Sequence, residues 1–256
     1  MKQPFFILGK VKIYFYGIFI TIGMIIGYVL ANKRISKFNI SKGFFERLIV
    51  VLIPSTIIGA RIYHVLSWSS YYRIFPKEIL NFWMGGYGNF GAIILGILVI
   101  FIFSRLEKTS FFLIGDFLSP VILLIQAMGR IGNFFNLEAF GPPTNLPWKV
   151  YIPPDKRPII FLNYSYFHPT FFYESLLCFL SLGFLFYLEK KFDLKEGFSS
   201  GFYFVSYGLI RFFTEFFRID TWQIMGIKVA QILSLFFILM GFVLIKGRIV
   251  RKKLLK

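Results

Sequence analysis

Residues 111–144 read FFLIGDFLSPVILLIQAMGRIGNFFNLEAFGPPT. Up to Gly129 this run holds one charged residue, Asp116, among Leu, Ile, Phe and Val. A helix needs about 20 mostly apolar residues to cross a bilayer, so 111–129 predicts a spanning helix. Six other segments meet the same test: 12–32, 44–66, 88–104, 170–188, 200–218 and 227–246. The first opens on Tyr14-Phe15-Tyr16 and has no clear small-residue cleavage site, so it reads as a span and not as a leader. The sequence therefore predicts an all-α integral membrane protein: one domain over 1–256, a bundle of seven transmembrane helices. Residues 131–169, rich in Pro and aromatic residues, form a small extracytoplasmic cap between the fourth and fifth spans.

Composition points the same way. Of 256 residues, 57% are hydrophobic and 16% charged, and 36 are Phe. Soluble domains carry about a quarter charged residues, and disordered chains are poor in apolar ones. The formal net charge is +17. The hydropathy assigns that excess to an anionic bilayer and the positive-inside rule, with no nucleic-acid partner. The single cysteine, Cys178, excludes an internal disulfide framework; its apolar neighbours make it a small buried hydrophobe.

Basic residues also set an orientation. The loops after the first, third and fifth spans and the tail hold fifteen, including Lys33, Arg34, Arg105, Lys190, Lys246, Arg248, Lys252, Lys253 and Lys256. The opposite side holds eight, including Lys2, Lys10, Arg73, Lys77, Lys156 and Lys228. The richer side is expected to be cytoplasmic, which places the N-terminus outside and the C-terminus inside.

Ionisable residues within spans are expensive and mark wet cavities or functional sites. Here they are Arg61 and His64 in the second span, Asp116 in the fourth with Arg130 just past its end, Glu174 opening the fifth, and Arg211 and Glu215 in the sixth. In YGLIRFFTEFFR (207–218), Tyr207, Arg211, Glu215 and Arg218 share one helical face. An internal Arg211–Glu215 pair accounts for part of this charge, but Glu215 cannot neutralise two arginines, and Arg61 and Arg130 add to the surplus. Guanidinium forks donate two parallel hydrogen bonds to phosphate. The charges thus predict an outward-facing pocket for an anionic phospholipid head group. Gly129 and Gly132 around Arg130 read as a turn or a close approach, and Asn133, Asn136 and Glu138 supply donors and acceptors beside it. His64 reads as a packing residue, and His168 before Pro169 as part of a turn that starts a helix. No His or carboxylate pair has zinc-type spacing.

These motifs resemble the prolipoprotein diacylglyceryl transferase family. MGRIGNFFNLEAFGPPT (128–144) is similar to its most distinctive signature. KIYFYGIFI (12–20), GARIYHVL (59–66), HPTFFYES (168–175) and RFFTEFFR (211–218) match further family motifs in order. At the place where the family often carries His-Gly-Gly, this chain has Phe90-Gly91-Ala92; where the family favours Met-Gly-Gln near the end, it has Lys228-Val229-Ala230-Gln231.

The resemblance implies a seven-helix enzyme of the bacterial cytoplasmic (inner) membrane that uses no metal or organic cofactor. It implies transfer of the diacylglyceryl group of phosphatidylglycerol to the lipobox cysteine thiol of a prolipoprotein signal peptide, with release of glycerol phosphate. Arg130 and Arg211 are then the catalytic and head-group arginines, with Glu138 and Tyr16 as catalytic candidates. Asn133, Asn136, Gly141, Arg61, Glu215, Arg218 and His168 are substrate-binding candidates. With Phe90 at the usual His position, Glu138, Tyr16 and His64 are the candidate bases. A non-catalytic lipid-binding paralogue and an anionic-lipid transporter are the alternative readings.

Overall fold

The computed structural model describes residues 6–8, 11–219 and 221–251. Lys2, Lys10, Lys252, Lys253 and Lys256 of the charge count lie outside them. The long helices are α1 (Phe15–Arg34), α2 (Lys42–Ser67), a short α3 (Ser69–Ile74), α4 (Asn89–Leu106), α5 (Phe111–Asn136), α6 (Thr170–Lys191), α7 (Phe198–Glu215) and α8 (Val229–Ile245). Apart from α3, they fall on the expected segments. Among the described residues, five helices are long and apolar enough to cross a membrane: α1, α2, α4, α5 and α6. Paired strands are short: β1 (Phe6–Leu8) with β2 (Val11–Ile13), β3 (Val150–Tyr151) with β4 (Tyr166–Phe167), β5 (Phe192–Leu194) with β8 (Ile249–Arg251), and β6 (Gln223–Ile224) with β7 (Ile227–Lys228).

The chain forms two compact units. One comprises residues 4–13 and 31–115. There α2 and α4 cross on glycines: a Cβ on Gly59 would lie 2.3 Å from the Gly91 carbonyl oxygen. Small residues let backbones approach this closely in membranes. Arg61 is buried and holds the 76–88 connection. Its Nε donates to Ile79 O, its Nη1 to Gly85 O and Gly86 O, and its Nη2 to Glu78 O. Tyr72 and Phe82 cover the guanidinium. His64 packs beside Trp68 and Tyr72, as expected of a packing residue.

The other unit comprises 14–30 and 116–256. Here α7 and α8 pack through Gly201, Gly208, Ser234 and Gly241; a Cβ on Gly241 would lie 2.6 Å from Gly201 O. Asp116 on α5 is buried and accepts from Gly197 N (2.5 Å) and Ser200 N (2.7 Å) at the start of α7. A carboxylate at a helix N-terminus satisfies orphan donors and meets the positive end of the dipole. Gln126 Nε2 donates to Tyr203 OH at 2.9 Å further along the same helix pair. Cys178 is buried with Ala127 and Ile210, as its neighbours predicted.

Two sequence boundaries need correction. The fourth span was expected to end at 129, but α5 continues to Asn136, so Arg130, Asn133 and Asn136 are helical and the connecting segment starts at 137, not 131. Of the two readings of Gly129 and Gly132, a turn or a close approach, the structure shows the close approach. A Cβ on Gly129 would lie 2.9 Å from Ile20 Cδ1, and one on Gly132 would lie 2.8 Å from Tyr16 Cα. The sixth span was expected to reach 218, but α7 ends at Glu215. Arg218 follows in a tighter turn, its N–H donating to Glu215 O. Lys228 Nζ donates to Glu215 O at 2.6 Å and Arg218 O at 3.1 Å, closing the helix with a cation at its negative end.

Segment 137–169 folds around Phe140, Ile152, Phe167 and Phe171, with Leu137, Val150, Phe161 and Ile219 packed against them.

Candidate active site

The site is assembled by α5, α6 and α7 with the turn that leaves each of α5 and α7. Glu174, on the first turns of α6, is 2% exposed. Its carboxylate gathers three arginines. Arg130 Nε lies 2.6 Å from Oε2, Arg211 Nη1 3.3 Å from Oε1, and Arg218 Nη1 3.5 Å from Oε1. Arg211 Nη2 also reaches Glu215 Oε2 at 2.7 Å, and Glu215 is 1% exposed. Three guanidiniums thus face two carboxylates. Counting Glu138, which reaches Arg130 through Asn133, and Lys228, whose Nζ donates to Glu215 O and Arg218 O, the group holds four cations and three carboxylates and keeps one positive charge, which calls for an anion. The arginine side chains retain 14–21% exposure, so a ligand can reach them.

Glu138 is delivered to this cluster by the way α5 ends. Glu138 N donates to Asn133 O and Leu137 N to Phe134 O. That is the Schellman pattern, which wants glycine at the left-handed position; here it is Leu137, at φ 53, and Ala139 follows at φ 59. Two left-handed non-glycine residues cost roughly 1–2 kcal/mol each, and such strain clusters at functional sites. The Glu138 carboxylate accepts from Asn133 Nδ2 and Asn136 Nδ2, both at 3.1 Å. Asn133 Oδ1 in turn accepts from Arg130 Nη1 at 3.1 Å. A continuous polar chain therefore runs Glu138, Asn133, Arg130, Glu174, Arg211, Glu215.

The connecting segment is tied to the start of α6. Gly141 N donates to His168 O at 2.8 Å, His168 N to Pro142 O at 3.0 Å, and Thr170 Oγ1 to Ala139 O at 2.7 Å. A Cβ on Gly141 would lie 2.5 Å from Phe217 O and 2.9 Å from His168 Cβ, so only glycine fits between them. His168 Nδ1 and the Tyr173 hydroxyl are 3.2 Å apart, and Trp148 Nε1 donates to that hydroxyl at 2.8 Å. Burial pushes the His168 imidazole below its ordinary value, which favours the neutral ring. Tyr16 packs on α5 against Gly129 and Gly132, on either side of Arg130 in the sequence.

Residues 3–246 match the family profile described as prolipoprotein diacylglyceryl transferase. The chain belongs to the prolipoprotein diacylglyceryl transferase family. A phosphatidylglycerol–prolipoprotein diacylglyceryl transferase from Thermotoga maritima is 41% identical over 94% of this chain and 83% of its own. The protein of that name from Acaryochloris marina is 40% identical over 90% and 84%, and that from Nostoc sp. 39% over 96% and 89%.

Of the residues that the family resemblance singles out, Arg130, Asn133, Asn136, Glu138, Gly141, His168, Arg211, Glu215, Arg218 and Tyr16 all lie in the unit that holds the cluster. Arg61 lies in the other unit, its donors turned to backbone carbonyls. Phe90, at the usual His position, packs its ring 5.7 Å from that of Tyr63 and is 40% exposed. Two residues acquire roles that the sequence did not assign. Glu174 is the centre of the cluster; the sequence signalled it as a carboxylate opening an apolar segment and as part of the HPTFFYES motif, but gave it no role. Lys228, one of the basic residues counted for orientation, closes α7.

Proposed function

We propose that this chain is a phosphatidylglycerol–prolipoprotein diacylglyceryl transferase that performs the first step of bacterial lipoprotein maturation. The observation that carries the reading is the set of three guanidiniums on Glu174, with a single positive charge left over. That surplus matches one singly charged phosphodiester. In this reading the chain crosses the inner membrane seven times, N-terminus outside and C-terminus cytoplasmic. Segment 137–169 caps the extracytoplasmic face, and phosphatidylglycerol enters from the bilayer.

The phosphate of the lipid meets Arg130, Arg211 and Arg218. The thiol of the lipobox cysteine attacks the glyceryl carbon that bears the phosphate oxygen. A C–S bond forms as the C–O bond breaks, and glycerol phosphate leaves. Negative charge moves onto the departing phosphate, where preorganised guanidiniums stabilise it; such electrostatic terms are often the largest in catalysis. Glu138 takes the thiol proton, its carboxylate oriented by Asn133 and Asn136. Tyr16 supports Arg130 through the α1–α5 contact. Asn133, Asn136, Gly141, Glu215 and His168 shape the head-group pocket, and Arg61 holds the 76–88 connection in its own unit.

The test is mass gain on a lipobox peptide in vesicles that contain only this protein and phosphatidylglycerol. Lipidated peptide and free glycerol phosphate in equal amounts are expected. Lipid binding with no such product would make the chain a non-catalytic paralogue.

A further inference from the structure

The connection between α7 and α8 is a hairpin that turns its apolar side chains outward. β6 and β7 pair as Gln223 with Lys228 and Ile224 with Ile227. Trp222 is 62% exposed, Ile224 50%, Met225 98% and Ile227 55%. The base is fixed: Val229 N donates to Trp222 O, and Lys228 Nζ donates to Glu215 O and Arg218 O. The hairpin thus stands beside the arginine cluster, with an apolar tip.

We propose that this hairpin is a bilayer contact, its tip seated in the lipid interface on the membrane face that carries the arginine cluster. The proposal concerns the placement of the protein in lipid and does not depend on the transfer chemistry.

Three observations commit the occupant to lipid. First, the exposed apolar surface continues a stripe on α8: Ile232, Leu235, Phe236, Leu239, Phe242 and Val243 are all at least half exposed. Their spacing of three and four residues is one helical face, opposite the Ser234 and Gly241 face that packs on α7. Second, α8 has 17 residues. At 1.5 Å per residue it rises about 25 Å, short of a hydrocarbon core of about 30 Å. The two-residue strands add roughly 7 Å, which carries the chain from the end of the helix into the interface. The outer backbone groups of an open hairpin need water or head groups, so it sits at the interface, where Trp is favoured. Third, the turn has φ 50 at Met225 and 78 at Gly226. Both central positions are left-handed, and Asn or Asp is the favoured residue at the first. A nearly fully exposed thioether at that strained position fits an apolar surround.

The experiment places a nitroxide at Met225→Cys in a Cys178→Ser background, with the protein in phosphatidylglycerol vesicles. Accessibility to oxygen is compared with accessibility to a water-soluble nickel chelate. Oxygen accessibility several-fold above that of nickel is expected. Nickel dominance would overturn the proposal. So would a label that meets water until lipobox peptide is added, which would make the hairpin a peptide-docking surface. A second variant, Ile224→Asp with Met225→Asp, is expected to lower transfer from vesicle lipid several-fold and to leave transfer from detergent-dispersed short-chain lipid unchanged. Equal loss in both assays would count against a lipid contact. The spin-label result stands whether or not transfer is observed.

Discussion

Arg130 and Arg211 converge on one carboxylate: Arg130 Nε is 2.6 Å from Glu174 Oε2, and Arg211 Nη1 is 3.3 Å from Oε1 of the same group. The two arginines come from α5 and α7, and the carboxylate from α6. Convergence of this kind is what a phosphate seat needs, since each guanidinium alone has only its own fork to offer.

Arg130→Ala and Arg211→Ala are each expected to lower transfer by at least about a hundredfold, the scale of one lost preorganised donor. Both variants still insert, because the apolar spans are untouched. Lipidation of a reporter peptide at the wild-type rate would refute their assignment.

Glu174→Gln keeps the shape and removes the charge, leaving the three guanidiniums with Glu215 in direct contact with Arg211 and Glu138 reached only through Asn133. Breaking a buried ion pair on one side costs about 3–5 kcal/mol. A lower Tm in detergent and loss of most transfer are expected together. A variant with wild-type Tm and rate would show that the cluster does not depend on Glu174.

Gly141→Ala must push a methyl against Phe217 O and His168 Cβ. Overpacking costs about 1–3 kcal/mol, so Tm and activity both fall. Gly183 on α6 has nothing within 4 Å of its position. Gly183→Ala should therefore raise stability by about 0.5–1 kcal/mol, from helix propensity alone. Denaturation of the two variants side by side checks that crowding, and not loss of glycine as such, decides the outcome.

Ala139→Gly relieves a left-handed backbone at φ 59. A gain of about 1 kcal/mol is expected, visible as a higher Tm. No gain would mean that the extra backbone entropy glycine loses on folding offsets the relieved strain.

The lowered His168 value gives a signed pH effect. In the unfolded chain the imidazole titrates near about 6.5. Below that pH the unfolded state binds more protons than the folded one, so stability falls as pH drops from there through the lowered folded value, and is unaffected above. His168→Gln should show a smaller loss of Tm between neutral and mildly acid pH than the wild type. An identical loss would place the acid sensitivity elsewhere.

Seven apolar runs, a positive-inside charge bias and a handful of charges in apolar segments were legible in the sequence, because hydropathy and ion desolvation act on each segment by itself. The cluster members Arg130, Arg211, Glu215 and Arg218 were legible for the same reason. What the sequence left open was which groups share a neighbour. Glu174 looked like a helix-start carboxylate until α6 placed it between α5 and α7. Gly129 and Gly132 read as either a turn or a close approach, and only the packing of α1 against them decides for close approach. Arg61 was counted among the surplus arginines, and its four carbonyl partners from the 76–88 connection could not be read from the sequence. Solvation and periodicity are local properties and can be read along the chain. The partner of a buried charge is set by distances between helices that are far apart in sequence, and only the packed tertiary structure fixes those.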